Sequence, residues 1–369
     1  QYGTLLSRQD TTGISVAGSH GKTTTTAMLA TTLKHLGEDP SYVIGTSDVG
    51  SLGEAGHLGN GKYFVVESDE YFSDLTYDRV PKFHYQHPYA AIITNIDFDH
   101  PDVFDTLEDI YRAFQTFAKN IQTDGILVVL GDNPKYQTVS DEVKEARVVT
   151  YGKKDTNTYQ AVDIVNTENG IQYTVMYQGE KVGTISLGVI GEHNAINSLS
   201  VVALLHTIGK SFDAISAGLK QFTGSKRRIE LKGVTEHGVQ VIDDYAHHPT
   251  EIRATLSALH LAYPEKKVVC IFQPHTFSRT KHLINDFAGA FEEVHTLILL
   301  PIFTSAREGA VEVGEQENLY TQILNNTHGV FIKNEQDVVE YCTKNFSSDE
   351  FIIVTMGAGD VYKIGEKLI

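Results

Sequence analysis

The sequence predicts an α/β protein with two domains, and three observations support this. Short apolar runs alternate with amphipathic stretches along most of the chain, as in proteins whose parallel sheets carry helices on both faces. The length, 369 residues, is too great for one ordinary core. A polar, glycine-containing connection at 223–228 separates two series of alternating elements. We therefore expect a first domain at 1–223 and a second at 224–369.

The first domain is expected to hold a mostly parallel sheet plus a small antiparallel sheet. Residues 156–188 predict the antiparallel part, because three short strand-like segments follow one another there without a helix. The other predicted strands are 13–18, 62–67, 89–96 and 125–131, and the predicted helices are 21–37, 106–121, 192–209 and 212–222.

The second domain is expected to be a Rossmann-like α/β unit of ordinary domain size. Its predicted strands are 239–245, 267–273, 295–301 and 351–359, and its predicted helices are 249–263, 282–294 and 360–368. The GAGD sequence at 357–360 predicts a strand-to-helix turn rather than a full nucleotide fingerprint.

Composition excludes several classes of protein. No run approaches the roughly 18 apolar residues that span a bilayer, and residues 1–10 do not resemble a signal peptide. The net charge of −17 argues against a broad nucleic-acid-binding surface. Of two cysteines, Cys270 lies in an apolar run and predicts a reduced structural thiol, which favours the cytoplasm. We expect small-molecule substrates, no membrane partner, and a monomer or homodimer.

A glycine-rich turn at 18–24 (GSHGKTT) joins the first predicted strand to the first predicted helix, the setting of loops that bind triphosphates. Glycines let the backbone present N–H groups to phosphate oxygens, and the helix adds positive charge at its amino end. Lys22 would reach the outer phosphates, and Thr23 would bind Mg²⁺. The first glycine of G-x-x-x-x-G-K-[ST] would fall at Val16, so the loop is short, and a turn without a ligand stays an alternative.

With this loop, the chain resembles the Mur ligases, a family that forms amide bonds in peptidoglycan precursor synthesis. The resemblance covers essentially the whole chain. It rests on GSHGKTTTT and on ESDE at 67–70, TNIDFDH at 94–100, GEHNAIN at 191–197, KRR at 226–228, DDYAHHP at 243–249, FQPHTFSRT at 272–280 and GAGD at 357–360.

The resemblance implies a two-step reaction that uses ATP and Mg²⁺. The carboxylate of UDP-N-acetylmuramate attacks the γ-phosphate of ATP to give an acyl phosphate, and the amine of L-alanine then displaces phosphate. Two anions meet in the first step, so catalysis depends on positioning and on charge neutralisation. The family pattern includes an amino-terminal domain that holds the UDP. We expect this chain to lack it, because the sequence begins just before the loop.

Metal ligands are expected near the ends of strands, where α/β enzymes usually bind ligands. Glu67 ends a predicted strand, and its carboxylate suits Mg²⁺, although an exposed carboxylate is the alternative. By resemblance, Thr23 and Glu67 bind one Mg²⁺ and His100 a second, an unusual ligand for this ion. Some relatives use a carbamylated lysine where this chain has Gln115, which fits the alanine-adding branch.

The nucleotide is expected to contact both domains. His193, Asn194 and Asn197 share one face of a predicted helix, which suits an adenine edge, with helix capping as the alternative. By resemblance, Arg228 contacts ATP on domain closure together with Asp243 or Asp244, the alternative for Arg227 and Arg228 being a solvated pair in a linker. The residues expected to bind ATP are Gly18, Ser19, His20, Gly21, Lys22, Thr23, Thr24, Asn95, His193, Asn194, Asn197, Arg228 and Asp243.

The amino-acid side of the site is expected in the second domain. By resemblance, Arg279 binds the carboxylate of the amino acid, and His247 orients its amine or accepts its proton. Zinc is discounted, because no Cys or third His stands at ligand spacing from His247 and His248. The expected substrate-binding residues are Asp244, Tyr245, His247, His248 and Arg279, and the expected catalytic residues are Lys22, His100, His247 and Arg279.

Three other functions stay open at this point. A ligase that joins murein tripeptide to UDP-N-acetylmuramate has similar loops, and KFHY at 82–85 favours it. Folylpolyglutamate synthase shares the architecture, but DDYAHHP argues against it. The third is a non-catalytic nucleotide-binding fragment. We also expect Lys22→Ala to abolish ATP turnover without unfolding the chain, because a loop side chain should be exposed and contribute little stability.

Overall fold

The structure is a computed structural model that describes residues 11–74, 77–101, 103–167, 170–303, 313–325 and 327–369. The chain divides into two compact units, Gln1–Lys226 and Arg227–Ile369. Each unit is built on a sheet with helices, which confirms the α/β fold class. Residues 1–10, which carried the expectation about a signal peptide, lie outside the described ranges.

The first unit is organised around a ten-stranded sheet. Its strands are β1 (Thr12–Ala17), β2 (Ser41–Val43), β3 (Gly56–His57), β4 (Tyr63–Glu67), β7 (Ala90–Ile93), β8 (Ile126–Leu130), β9 (Arg147–Gly152), β10 (Tyr159–Thr167), β11 (Gly170–Tyr177) and β12 (Glu180–Leu187), while β5 (Phe72–Asp74) and β6 (Asp78–Pro81) form a separate antiparallel pair. The order in the large sheet is β12-β11-β10-β9-β8-β7-β1-β4-β2-β3.

The strands from β10 to β2 in that order pair in parallel. The meander expected at 156–188 is present as β10, β11 and β12, which pair antiparallel. These strands extend the edge of the large sheet, because β10 pairs in parallel with β9.

Helices cover both faces of this sheet. They are α1 (Lys22–His35), α2 (Leu107–Lys119), α3 (Tyr136–Ser140), α4 (Glu192–Thr207) and α5 (Phe212–Leu219), with a 3₁₀ helix at Lys82–Tyr85. Successive strand residues point to opposite faces. Ile92 accordingly packs in the core that includes α1 and α4, and Ile93 packs in the core that includes α2. Both faces are apolar, which explains why the central strands read as continuous apolar runs.

The threonine-rich helix α1 is buried almost all round, from Thr23 to Leu33. Its hydroxyls need partners in this setting. Thr26 donates to the carbonyl of Lys22 and Thr32 to that of Met28, each at 2.7 Å. Two hydroxyls of this core helix thus bond to its own backbone, and Thr31 Oγ1 lies 2.7 Å from Ser51 Oγ.

The second unit holds a six-stranded sheet in the order β13-β14-β18-β15-β16-β17. The strands are β13 (Glu230–Val234), β14 (Gln240–Asp244), β15 (Lys267–Phe272), β16 (Thr296–Leu299), β17 (Gly329–Phe331) and β18 (Phe351–Met356), and the helices are α6 (Pro249–Ala262), α7 (Phe277–His282), α8 (Ile284–Ala288), α9 (Val313–Leu324), α10 (Glu335–Asn345) and α11 (Tyr362–Leu368). All pairs are parallel except β13 with β14.

The prediction of one helix at 282–294 is wrong. The structure has α7 and α8 instead, which meet at Leu283, where φ is −100° and ψ is 20°. The second of these helices ends just before Gly289, which disfavours helix continuation. Among the described residues, no helix combines the length and apolarity that a membrane crossing requires.

Candidate active site

The two glycines of the 18–24 loop are required by its geometry. Gly18 has φ of +134°, and a Cβ there would lie 2.1 Å from Thr94 Oγ1. Gly21 has φ of +79°, and a Cβ there would lie 2.7 Å from Asn197 Oδ1. Both the backbone conformation and the neighbouring atoms therefore exclude larger residues.

The loop is fastened to the segment that follows β7. The amide of His20 donates to Asn95 Oδ1 at 2.9 Å, and Asn95 Nδ2 donates to the carbonyl of His20 at 3.0 Å. Ser19 Oγ accepts from the amide of Asp97 at 2.9 Å. Ser19, His20 and Asn95, all expected to bind ATP, thus hold the backbone of the loop in shape.

Lys22 points back into the loop. Its Nζ donates to the carbonyl of Gly18 at 2.6 Å and to both oxygens of Glu70 at 3.0 and 2.8 Å. The Lys22 side chain is 13% exposed and that of Glu70 only 2%. Burial lowers the pKa of Lys22, but the nearby carboxylates, chiefly Glu70, outweigh this and leave the pKa raised.

Thr23 and Glu67 are adjacent at the start of α1 and the end of β4. Thr23 Oγ1 donates to Glu67 Oε1 at 2.9 Å, and Glu67 Oε2 accepts from the amide of Gly45 at 2.6 Å. The structure therefore brings together two of the three expected metal ligands. They are hard oxygen donors, which suits Mg²⁺.

The third expected ligand, His100, lies beside two carboxylates. Its Nε2 is 3.7 Å from Glu70 Oε1 and 3.5 Å from Asp99 Oδ2. His100 has φ of +60°, a rare conformation for a non-glycine residue, and its amide donates to Asp99 Oδ1. Backbone strain of this kind concentrates at functional sites.

Helix α4 brings one of its three candidate residues to the loop. Asn197 contacts the Gly21 backbone, as the close approach of its amide group shows. Asn194 Nδ2 donates to the carbonyl of Ile190 at 2.7 Å. This bond at the start of the helix fits the alternative role of Asn194 as a capping residue. His193 is half-buried in the first turn, and Thr24 is buried within α1.

Sequence reasoning missed Glu70 as a site residue. It stands three positions after the end of β4, inside a motif that was attributed to Glu67 alone. The available signal was a second glutamate close to the carboxyl end of a buried strand, where ligand sites form. Its burial and its pairing with Lys22 could not be read from the sequence.

The KFHY segment at 82–85 has a structural explanation. Phe83 is fully buried and stacks on Phe117, with ring centroids 4.8 Å apart. His84 Nε2 lies 2.8 Å from the carbonyl oxygen of Ala113, and burial lowers the pKa of this histidine. Packing thus explains the two central residues of the segment, Phe83 and His84. Gln115 bonds to the carbonyl of Thr138 in α3.

In the second unit, Arg227 rather than Arg228 forms the buried ion pair. Arg227 Nε donates to Asp243 Oδ2 at 2.9 Å, and Thr355 donates to the other oxygen at 2.6 Å. Asp243 is fully buried, and this burial raises its pKa despite both bonds. The Arg228 guanidinium lies 5.2 Å from the ring centre of Tyr245. The alternative of a solvated arginine pair therefore fails for Arg227.

Asp244 supports the backbone around it. Its carboxylate accepts from the amides of Ile229 and Ala246, at 2.8 and 2.7 Å. The residue is 4% exposed, and burial raises its pKa to about 6. These bonds order the chain on both sides of β14, so in this structure Asp244 binds protein rather than solvent.

The paired histidines differ in role. His248 is 4% exposed and caps α6, accepting from the amide of Thr250 at 3.2 Å. His247 is more accessible. Its Nδ1 lies 3.0 Å from the carbonyl oxygen of Tyr245 and 3.3 Å from Glu251 Oε2. Of the two, His247 is the one placed to meet a ligand.

His275, to which the sequence assigned no role, lies against Arg279. Arg279 Nη1 lies 3.2 Å from His275 Nδ1, and the His275 ring stacks on Phe303 with centroids 5.5 Å apart. The same imidazole is 5.9 Å from the ring of His247. His275 thus connects two expected site residues that are 32 positions apart in sequence.

The fold of the first unit and its glycine–lysine–threonine loop define a P-loop-type ATPase domain. The description "Mur ligase middle domain" matches residues 16–205, and "Mur ligase, glutamate ligase domain" matches residues 227–359. The chain belongs to the Mur ligase family.

Two relatives carry the name UDP-N-acetylmuramate–L-alanine ligase. That of Caldanaerobacter subterraneus is 37% identical over 367 residues, which cover 99% of this chain and 77% of the relative. That of Streptococcus agalactiae is 40% identical over 353 residues, which cover 95% and 72%. A solved UDP-N-acetylmuramate–alanine ligase from Thermotoga maritima superposes with a TM-score of 0.78 at 25% identity, over 100% of this chain and 76% of that one.

Proposed function

We propose that this chain catalyses the ATP-dependent joining of L-alanine to the carboxylate of UDP-N-acetylmuramate, a step of peptidoglycan precursor synthesis. The observation that carries the proposal is the loop geometry of Lys22, Thr23 and Glu67 in a chain that is similar over almost its whole length to ligases of that name. The proposed domain roles are ATP binding for 1–223 and amino-acid binding for 224–369.

The phosphate side of the reaction is assigned to the first unit. The free amides at the amino end of α1 favour anions, and the Lys22 ammonium adds a full positive charge. ATP phosphates would lie at this helix end, beside a loop whose backbone path requires glycine at 18 and 21. Thr23 and Glu67 would hold Mg²⁺, which would neutralise phosphate charge when bound. His100 as a second metal ligand is part of the same proposal.

The amino-acid side is assigned to the second unit. Arg279, which is only 4% exposed and lies against His275, would bind the α-carboxylate of L-alanine through its guanidinium fork. His247 would accept a proton from the amine, since imidazole titrates near neutral pH. Tyr245 would line the same region, and Arg228 would contact ATP. The buried Asp243, Asp244 and His248 would act by fixing the backbone around them.

Three further parts of the proposal follow from the family. The amine donor is L-alanine rather than tripeptide, because the similar ligases are named for L-alanine. The partners are small molecules, with a monomer or homodimer as the assembly. The location is the cytoplasm, which is consistent with two free, buried cysteines.

The test is phosphate release from ATP and Mg²⁺ in the presence of UDP-N-acetylmuramate. Release that depends on L-alanine, with formation of the amide product, is the expected result. Lys22→Met should abolish it, and Lys119→Met, which changes an exposed lysine paired with Glu142, should not. Release that requires tripeptide would favour the recycling ligase, and ATP binding without any release would favour a non-catalytic protein.

A further inference from the structure

The carboxylate of Glu70 lies between two residues assigned to the phosphate site. It accepts two bonds from Lys22 Nζ, at 3.0 and 2.8 Å, and its Oε1 lies 3.7 Å from His100 Nε2. The side chain is 2% exposed. One buried anion therefore contacts a cation of the loop and approaches the imidazole that follows β7.

Stability alone does not account for this arrangement. Removing two charges from water is costly, and well-packed apolar residues often stabilise a protein as well as a buried ion pair does. The pair does give Lys22 a fixed geometry, because the carbonyls of Gly18 and Ser19 accept its remaining bonds at 2.6 and 3.3 Å. The ammonium is thus held on the inner side of the loop before any phosphate arrives.

We propose that Glu70 is a positioning residue that holds the Lys22 ammonium, and with it the neighbouring His100, in the geometry that receives the phosphates. The inference rests on the proposed use of ATP. Lys22 does not leave Glu70 when phosphate binds. If it did, the Glu70 carboxylate, which is 2% exposed, would lose its cation. Glu70 and Lys22 therefore stay paired when nucleotide binds.

The experiment compares Glu70→Gln with Asp69→Asn in the full chain. Asp69 is the matched control, because it is the adjacent carboxylate and pairs at the surface with Lys82, at 2.8 Å. ATP affinity is measured by calorimetry, and kcat and KM for ATP by phosphate release. Glu70→Gln should weaken ATP binding about ten- to a hundredfold, the range usual for residues that orient a ligand group. Asp69→Asn should change it less than about threefold.

A double-mutant cycle separates positioning from a structural role. Once Lys22 is changed to Ala, Glu70→Gln should cause no further loss of ATP affinity, because the group that it positions is gone. If the two substitutions lower ATP affinity independently, so that the double variant shows the product of the two single losses, the proposal is overturned. Tighter ATP binding by Glu70→Gln would also overturn it, because this result would show that the Glu70 carboxylate competes with phosphate for Lys22.

Two controls keep the result interpretable. Glu70→Asp keeps the charge and should bind ATP more tightly than Glu70→Gln, and equal weakening in the two would overturn the proposal even if Glu70→Gln folds poorly. Wild-type chain that binds no ATP would refute the proposed function itself. Wild-type chain that binds ATP, with Glu70→Gln binding equally well, would refute only the role of Glu70.

Discussion

Two buried ion pairs order the residues assigned to the site, one in each unit. Lys22 pairs with Glu70 in the first unit, and Arg227 pairs with Asp243 in the second. In each pair the carboxylate is almost completely buried and the cation only partly so. A partly buried cation with a fixed counter-ion keeps its position, and this is what binding an anionic ligand requires.

The expectation that Lys22→Ala would not unfold the chain assumed an exposed side chain. That premise is wrong, because the Lys22 side chain is 13% exposed and pairs with the buried Glu70. The variant should lose about 3–5 kcal/mol in the free energy of unfolding, because an unpaired buried charge remains. Urea denaturation would measure this. Adding Glu70→Gln to Lys22→Ala should restore part of the loss, and no restoration would show that Glu70 is not the cause.

Asp244 should make stability depend on pH. Its pKa is raised in the folded chain to about 6 from 3.8, so between these values the folded state keeps a proton that the unfolded state releases. The free energy of unfolding should therefore fall by about 2–3 kcal/mol as the pH rises from about 4 to above 6. Urea denaturation across this range would measure the slope.

Asp244→Asn should remove this pH-dependent contribution, although the variant is less stable overall because one backbone amide loses its acceptor. The exposed Asp349 offers a control, since Asp349→Asn should keep the slope of the wild type. An unchanged slope in Asp244→Asn would contradict the assignment.

At the level of secondary-structure elements, the junction between β1 and α1 determines the shape of the loop. Gly18 and Gly21 have positive φ, and both approach atoms of other elements. The loop is further held by Asn95 after β7 and contacted by Asn197 in α4. The segment after β7 and helix α4, both far from the loop in sequence, thus fix one turn, which makes it rigid before a ligand binds.

Gly18→Ala should be much more damaging than Gly37→Ala. Both glycines have positive φ, but a Cβ at position 18 would lie 2.1 Å from Thr94 Oγ1, and a Cβ at position 37 would meet nothing within 4 Å. We expect a cost of about 3 kcal/mol or more at position 18, with loss of ATP binding. At position 37 we expect about 1–2 kcal/mol from backbone strain alone, with binding retained. Thermal unfolding and calorimetry would test both, and similar costs would contradict the steric explanation.

At the scale of the whole molecule, the two units have separate cores. The first has a large cluster on each face of the ten-stranded sheet, and the second has its own cluster around β15 and β18. Each of these three clusters contains residues of one unit only. The strands of each of the two large sheets also come from one unit only.

Residues 1–226 and 227–369 should therefore fold when expressed separately. Each fragment should give a cooperative thermal transition and the circular dichroism of a mixed α/β protein. Fragment 1–226 should also bind ATP, because it contains the whole 18–24 loop. A fragment without a cooperative transition would show that its core depends on the other unit.

The alternation of strands and helices could be predicted from the sequence, because strands buried on both faces of a parallel sheet need apolar residues at successive positions. Short, partly exposed elements were missed, such as β2 and β17. The helix predicted at 282–294 failed because its apolar spacing continues to Val294, whereas the helix ends before Gly289. Periodicity reports burial, and it does not report where a helix ends.

By itself, the sequence determined the fold class, the phosphate loop and the family, because these depend on local patterns and on motifs in fixed order. Only the tertiary structure decided which charged residues meet. Glu70 pairs with Lys22 across 48 positions, and Arg227, not Arg228, pairs with Asp243. Such pairing depends on distance and burial after folding, and neither of these is encoded in the spacing of residues along the chain.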